Sequence, residues 1–136
     1  MERQYYEAYD DRYRQVHDAG LQWFADHPTG IVREIITRFG INKKHKLLEI
    51  GCGEGRDAVP LLRDGYNLLA TDISEEVIRY NRERWPEFSN SFVVLDCISG
   101  EMTDRFDFIY AVAVVHMLVK NEHRNAFYSF IREHLT

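Results

Sequence analysis

The stretch Lys46-Leu47-Leu48-Glu49-Ile50-Gly51-Cys52-Gly53-Glu54-Gly55-Arg56-Asp57 decides the fold. Its first half is a short, nearly continuous apolar run, as expected of a strand covered on both faces. Its second half places three glycines in five residues, which suits a sharp turn where the chain must approach a ligand with no Cβ in the way. A helix over residues 57–64 follows, with Pro60 close to its first turn and Gly65 as its stop.

The same alternation continues downstream. The pattern predicts strands over residues 67–71, 92–95 and 108–113, and helices over 75–85, with Ser74 as N-cap, and 122–135. Upstream, the first thirty residues read as helix, with Tyr6, Tyr9, Tyr13, Val16 and Gly20 on one face and Trp23 and Phe24 extending the apolar material. His27-Pro28-Thr29 breaks it. A second helix then carries the stripe Ile31, Val32, Ile35, Ile36 and Phe39, with Thr29 as N-cap and Gly40 as a left-handed C-terminal cap.

Strand–helix alternation with short connections predicts an α/β fold, a doubly wound, mainly parallel sheet with right-handed crossovers and helices on both faces. Residues 1–45 form an N-terminal helical cap or lid, and residues 46–136 form the α/β core. Stopping after the helix behind the fourth strand leaves that apolar strand with an unpaired edge. We therefore expect a partial domain, in preference to half of an intertwined assembly.

Composition narrows the classes of function. A net charge of −5 with no basic stripe argues against nucleic acid or an anionic membrane as partner. The apolar stretch over residues 108–119 is interrupted by His116 and is too short to span a bilayer. The polar start Met1-Glu2-Arg3-Gln4-Tyr5 does not read as a signal peptide. Cys52 and Cys97 lack any C-x-x-C spacing and read as free thiols in a reducing cytoplasm. No run of His, Cys and carboxylates has ligand spacing, so no metal site is expected.

In doubly wound sheets, ligands sit beyond the carboxyl ends of the strands, where the strand order reverses. The turn Gly51-Cys52-Gly53-Glu54-Gly55 is that place, and the free N–H groups of the next helix suit a carboxylate or phosphate. Its G-x-G-x-G spacing departs from the dinucleotide fingerprint G-x-G-x-x-G, whose third glycine would fall on Arg56. An NAD-dependent oxidoreductase is disfavoured on that ground. Asp72, ending the second strand, is placed to accept both hydroxyls of a ribose, with a helix-capping role as the alternative. Asp96, ending the third, is placed to accept from an adenine amino group, or else to form a turn.

Four ordered blocks, LLEIGCGEGRD, ATDIS, VVLDC and FDFIYAVAVVHML, resemble the class I (Rossmann-like) S-adenosylmethionine (SAM)-dependent methyltransferases of the small-molecule type. The resemblance runs from about Lys46 to Leu135 and implies SAM as cofactor and S-adenosylhomocysteine as product. It implies that Gly51, Gly53 and Gly55, with Cys52 in the loop, wrap the methionyl part, and that Glu49 orients the loop and the methionyl amine. It also implies that Asp72 holds the ribose, Ile73 lies against the adenine, and Asp96 and the Cys97 backbone read the adenine edge. The stretch from Ala111 to His116 would lie beneath the sulfonium and face the acceptor. Members of the family normally continue into three more strands, which this chain lacks.

A sulfonium methyl is already activated, so holding a small-molecule acceptor in line supplies most of the rate. His116 is the candidate general base, with a packing role as its alternative. Tyr5, Tyr6, Tyr9 and Tyr13 either pack the first helix on the sheet or form a lid, with Tyr9 and Tyr13 as candidates to contact substrate. Cys52 reads as a small filler. A SAM-binding protein of this fold that no longer transfers methyl groups, a sensor or partner subunit, is the alternative function.

Overall fold

The computed structural model describes residues 4–23 and 27–136. Among these residues four parallel strands, β1 (Lys46–Ile50), β2 (Asn67–Asp72), β3 (Phe92–Val94) and β4 (Phe108–Tyr110), lie in the order β3-β2-β1-β4. Among the described residues five α-helices accompany them: α1 (Ala8–Asp18), α2 (Ile31–Arg38), α3 (Ala58–Arg63), α4 (Glu75–Arg84) and α5 (Asn121–His134). The doubly wound α/β reading therefore holds.

The two-residue period of β1 divides the core. Leu47, fully buried, packs with Val32 and Ile36 of α2, Leu61 of α3 and Val77 and Ile78 of α4. Leu48 and Ile50 point to the other face, where they meet Phe127 and Phe130 of α5. Central β1 thus has no solvent face, which is why its sequence is a continuous apolar run broken only by Glu49.

Several local expectations are corrected. The first helix begins at Ala8, after a single 3-10 turn over Tyr5–Glu7, and ends at Asp18; Gly20 turns the chain at φ +75°. Trp23 lies beyond the helix, and Phe24 falls outside the described residues. Thr29 does not cap α2; Gly30 occupies that position without a side-chain bond. The Thr29 N–H and hydroxyl instead both donate to Asp57 Oδ1, at 2.9 and 3.0 Å. A buried carboxylate at the start of α3 outcompetes the local backbone for that hydroxyl. Gly40, by contrast, takes the expected left-handed φ of +64°.

β4 ends at Tyr110 rather than at residue 113, because the chain leaves the sheet and Ala113 turns it at φ +59°. Beside the segment that leads into β4, the Phe106 N–H donates to His134 O (2.7 Å) and the Thr136 N–H donates to Phe106 O (2.9 Å). Among the described residues, no helix is long and apolar enough to cross a membrane.

Candidate functional site

Beyond the carboxyl ends of the strands lies a cavity walled by the glycine turn, the ends of β2 and β3, the loop after β4, and α1. The turn is pinned to β2 by the Cys52 N–H, which donates to Thr71 O at 2.8 Å. Gly51 has φ +75°, and a Cβ there would sit 2.5 Å from Val114 Cγ2. Gly53 has φ +54°, and a Cβ there would meet the Tyr13 hydroxyl at 3.1 Å. Both positions thus favour glycine for conformation, and Gly51 needs it for space as well. Gly55, at φ +81°, precedes α3, its carbonyl accepting from the Val59 N–H at 2.9 Å.

The Gly53 peptide is held from two sides. Its N–H donates to Asp72 Oδ2 (3.0 Å), and its carbonyl accepts from Asn81 Nδ2 of α4 (2.8 Å). Asp72 Oδ1 accepts from the Ser74 N–H at 3.0 Å, while the Ser74 hydroxyl caps α4 by accepting from the Val77 N–H. The carboxylate thus closes the turn before α4 and fixes the glycine loop while lining the cavity. Burial raises its pKa, and the backbone N–H groups counter that.

Glu49, 2% exposed, also lines the cavity. Burial pushes its carboxyl up to about 8, helped by nearby Asp57 and opposed by the Tyr110 hydroxyl, which donates to Oε1 at 3.2 Å. It is therefore largely protonated at neutral pH. Tyr110 reaches it because the β1–β4 register places the two residues side by side.

Asp96 forms a turn and faces the cavity at once. Its Oδ1 accepts from the Ile98 N–H (2.9 Å), and its Oδ2 accepts from the Ser99 hydroxyl (2.7 Å) and the Tyr6 hydroxyl (3.3 Å). Ile73 and Cys97 line the same wall. Burial pushes the Cys97 thiol up to about 12 and raises that of Cys52 as well.

Tyr6, Tyr9 and Tyr13 of the N-terminal segment complete the cavity, Tyr6 and Tyr13 being buried. Tyr5 turns away: its hydroxyl accepts from the Val119 N–H at 2.9 Å and lies 3.1 Å from His123 Nδ1. Gly55, Ala111 and His116, all expected at the site, do not line the cavity. Ala111 packs in the α5-side core, and His116 is exposed on the 3-10 turn Val115–Met117. That turn brings Val114, Met117 and Leu118 to the cavity in place of His116. Sequence reasoning missed Glu54, Arg56 and Asp57, although they directly adjoin the glycine turn, and Tyr110, whose link to Glu49 depends on register. Among the described residues, no group of three His, Cys, Asp or Glu side chains is arranged to hold a metal ion.

A family model described as a methyltransferase domain matches residues 47–136. The chain belongs to this methyltransferase domain family. It is similar to glycine N-methyltransferase of Mus musculus, 33% identical over 52 residues, 34% of this chain and 18% of that protein. It is also similar to the probable S-adenosyl-L-methionine-dependent methyltransferase TehB of Haemophilus influenzae, 28% identical over 108 residues, 78% of this chain and 37% of that protein. Among solved structures, it resembles the glycopeptide N-methyltransferase MtfA complexed with SAM. That match has 25% identity and a TM-score of 0.69, covering 85% of this chain and 52% of MtfA. The chain thus spans about half or less of the length of these methyltransferases.

Proposed function

We propose that this chain is the cofactor-binding part of a SAM-dependent methyltransferase acting on a small-molecule acceptor. The observation that carries the reading is the cavity at the glycine turn, where positive-φ glycines leave room for a ligand beside a ring of carboxyl groups. Five acids line it, Glu49, Glu54, Asp57, Asp72 and Asp96, against one arginine, Arg56. With Glu49 protonated in the free protein, the other four acids still outnumber that arginine, which fits a ligand bearing an ammonium and a sulfonium and suits a dinucleotide pyrophosphate poorly. The MtfA structure with SAM and the TehB likeness support the same cofactor.

Gly51 and Gly53 would hold the methionyl part and Glu49 its ammonium, with Asp72 on the ribose and Ile73, Asp96 and Cys97 around the adenine. When bound, SAM supplies a methyl group already activated for displacement. The chain's own part is to position and to exclude water, through Tyr6, Tyr9 and Tyr13 above and Val114, Met117 and Leu118 beside. No histidine or lysine lines the cavity among the described residues, so the groups there that could accept a proton are its carboxylates. The free thiols of Cys52 and Cys97 support a cytoplasmic location, and the net charge of −5 argues against nucleic acid or membrane as partner.

Thermal shift of the protein with SAM, S-adenosylhomocysteine and NAD tests the reading. A ligand at a hundred times its dissociation constant stabilises by about 2.7 kcal/mol. A shift with NAD and none with SAM or its product would overturn the proposal. Methyl transfer from labelled SAM into a metabolite pool separates an enzyme from a SAM sensor.

A further inference from the structure

Helix α1 has a second face that the cofactor reading does not use. Its Tyr9 and Tyr13 look into the cavity, whereas Asp10, Arg14 and His17, spaced by four and three residues, face α4 and the glycine turn. Asp10 Oδ1 accepts from the Ser74 hydroxyl (2.7 Å) and the Glu76 N–H (2.9 Å), so α1 supplies part of the cap of α4.

His17 is the centre of this face. Its side chain is 3% exposed, with Nε2 2.7 Å from Glu54 Oε2 and Nδ1 3.0 Å from Glu76 Oε1. Glu54 belongs to the glycine turn and Glu76 to α4. Ionised carboxylates only accept, and a neutral imidazole donates from a single nitrogen. Both contacts are hydrogen bonds together only when the ring carries two protons.

Every other group facing the ring fits that state. From α4, Tyr80 stacks on it at 3.8 Å, and Arg79 hydrogen-bonds Glu76. From α1 itself come Tyr13, with its ring centroid 5.8 Å away, and Arg14, which lies 3.6 Å from Glu76 and 3.0 Å from Asp10. Burial works to raise Glu76, but hydrogen bonds from Arg79 and His17 prevail and hold it below the usual carboxylate range. Asp10, Glu54 and Glu76, with Glu83 on Arg79 at 2.6 Å, face Arg14, Arg79 and a cationic His17. Glu54 Oε2 also accepts from the Trp23 N–H at 3.0 Å, and the Trp23 ring packs edge-on against Tyr13 at 4.8 Å.

We propose that Glu54–His17–Glu76 is a pH-dependent latch, which holds α1 shut over the cavity and loosens when the imidazole loses a proton. Loss of that proton turns a lone pair toward a carboxylate oxygen at hydrogen-bond distance, in a place shielded from water. The aromatic wall of the cavity moves with the helix that carries it. That the cavity takes SAM rests on the reading above; the latch does not need it.

The test therefore uses the free protein. Nitrogen-15 spectra of the His17 ring, Trp23 fluorescence in a Trp85→Phe background, and amide exchange of α1 are followed from about pH 5.5 to about pH 9. The expected result is a doubly protonated ring at the acid end. Protection of α1 and the Trp23 signal should then fall with the same midpoint as the ring proton, and this step should vanish in His17→Gln. In Glu54→Gln, which keeps the imidazole, both midpoints should move down together, so the test stands even if His17→Gln folds poorly. A singly protonated ring at acid pH, or protection that is lost independently of His17, would overturn the latch. Cofactor release should be roughly tenfold faster from His17→Gln, the scale of one lost charge-assisted hydrogen bond. A latch that titrates as expected in a protein giving no thermal shift with SAM would count against the cofactor reading alone.

Discussion

Raising the pH from about 5 to about 8 should destabilise the protein through Glu49. Burial, and then nearby Asp57, push its carboxyl up to about 8, well above the usual carboxylate range. An acid whose pKa is raised by folding favours the folded state below the unfolded pKa, and that advantage is lost as pH climbs toward the folded one. At about 1.4 kcal/mol per pH unit, the loss between pH 5 and pH 8 is roughly 3–4 kcal/mol. That is a large share of the 5–15 kcal/mol typical of a domain. Urea unfolding of the wild type and Glu49→Gln at half-unit intervals measures it directly, because glutamine cannot titrate. The gap between the two proteins should move in favour of the glutamine variant as pH rises. Parallel curves from pH 5 to pH 8 would refute a buried, neutral carboxyl. A ligand ammonium placed on Glu49 should reverse the effect by drawing the proton off. SAM binding should then release close to one proton at pH 7, read by calorimetry in buffers of differing ionisation enthalpy.

Other expectations follow from single contacts. Gly51→Ala, with φ +75° and a Cβ 2.5 Å from Val114, should cost roughly 1–3 kcal/mol, and Val114→Ala in the same chain should restore part of the loss of Tm. Ala113→Gly should raise Tm, because relief of a left-handed alanine at φ +59° is worth about 1 kcal/mol. Asp72→Ala removes the acceptor for the Gly53 and Ser74 N–H groups; it should abolish the SAM-induced thermal shift, and a shift of wild-type size would remove Asp72 from the site.

The strand, glycine turn and helix around β1 were legible because each part is local: an apolar run, glycines, then helical spacing. Gly40 and Ser74 were legible for the same reason. Thr29 was not, since its partner Asp57 is 28 residues away and no nearby pattern marks that bond. The neutral state of Glu49 was equally hidden, because it depends on burial and on Tyr110 across the β1–β4 register. His116 was assigned by its place after a strand, but the chain leaves the sheet early and a 3-10 turn brings Met117 to the cavity instead. Asp10 and His17 carry no signal of their own within α1, because their partners lie on the glycine turn and at the start of α4.

The strand order bears on how the molecule assembles. β1 pairs with β2 after one crossover, but its other neighbour is β4, so Lys46–Ile50 must wait for Phe108–Tyr110, about sixty residues later in the chain. Such long-range parallel pairing is a slow step in folding. The wall formed by Val114 and Met117 exists only after it, so a ligand that needs this wall binds a chain whose sheet is already closed. Such a ligand should slow unfolding and leave the folding rate almost untouched, separating the two limbs of a chevron plot.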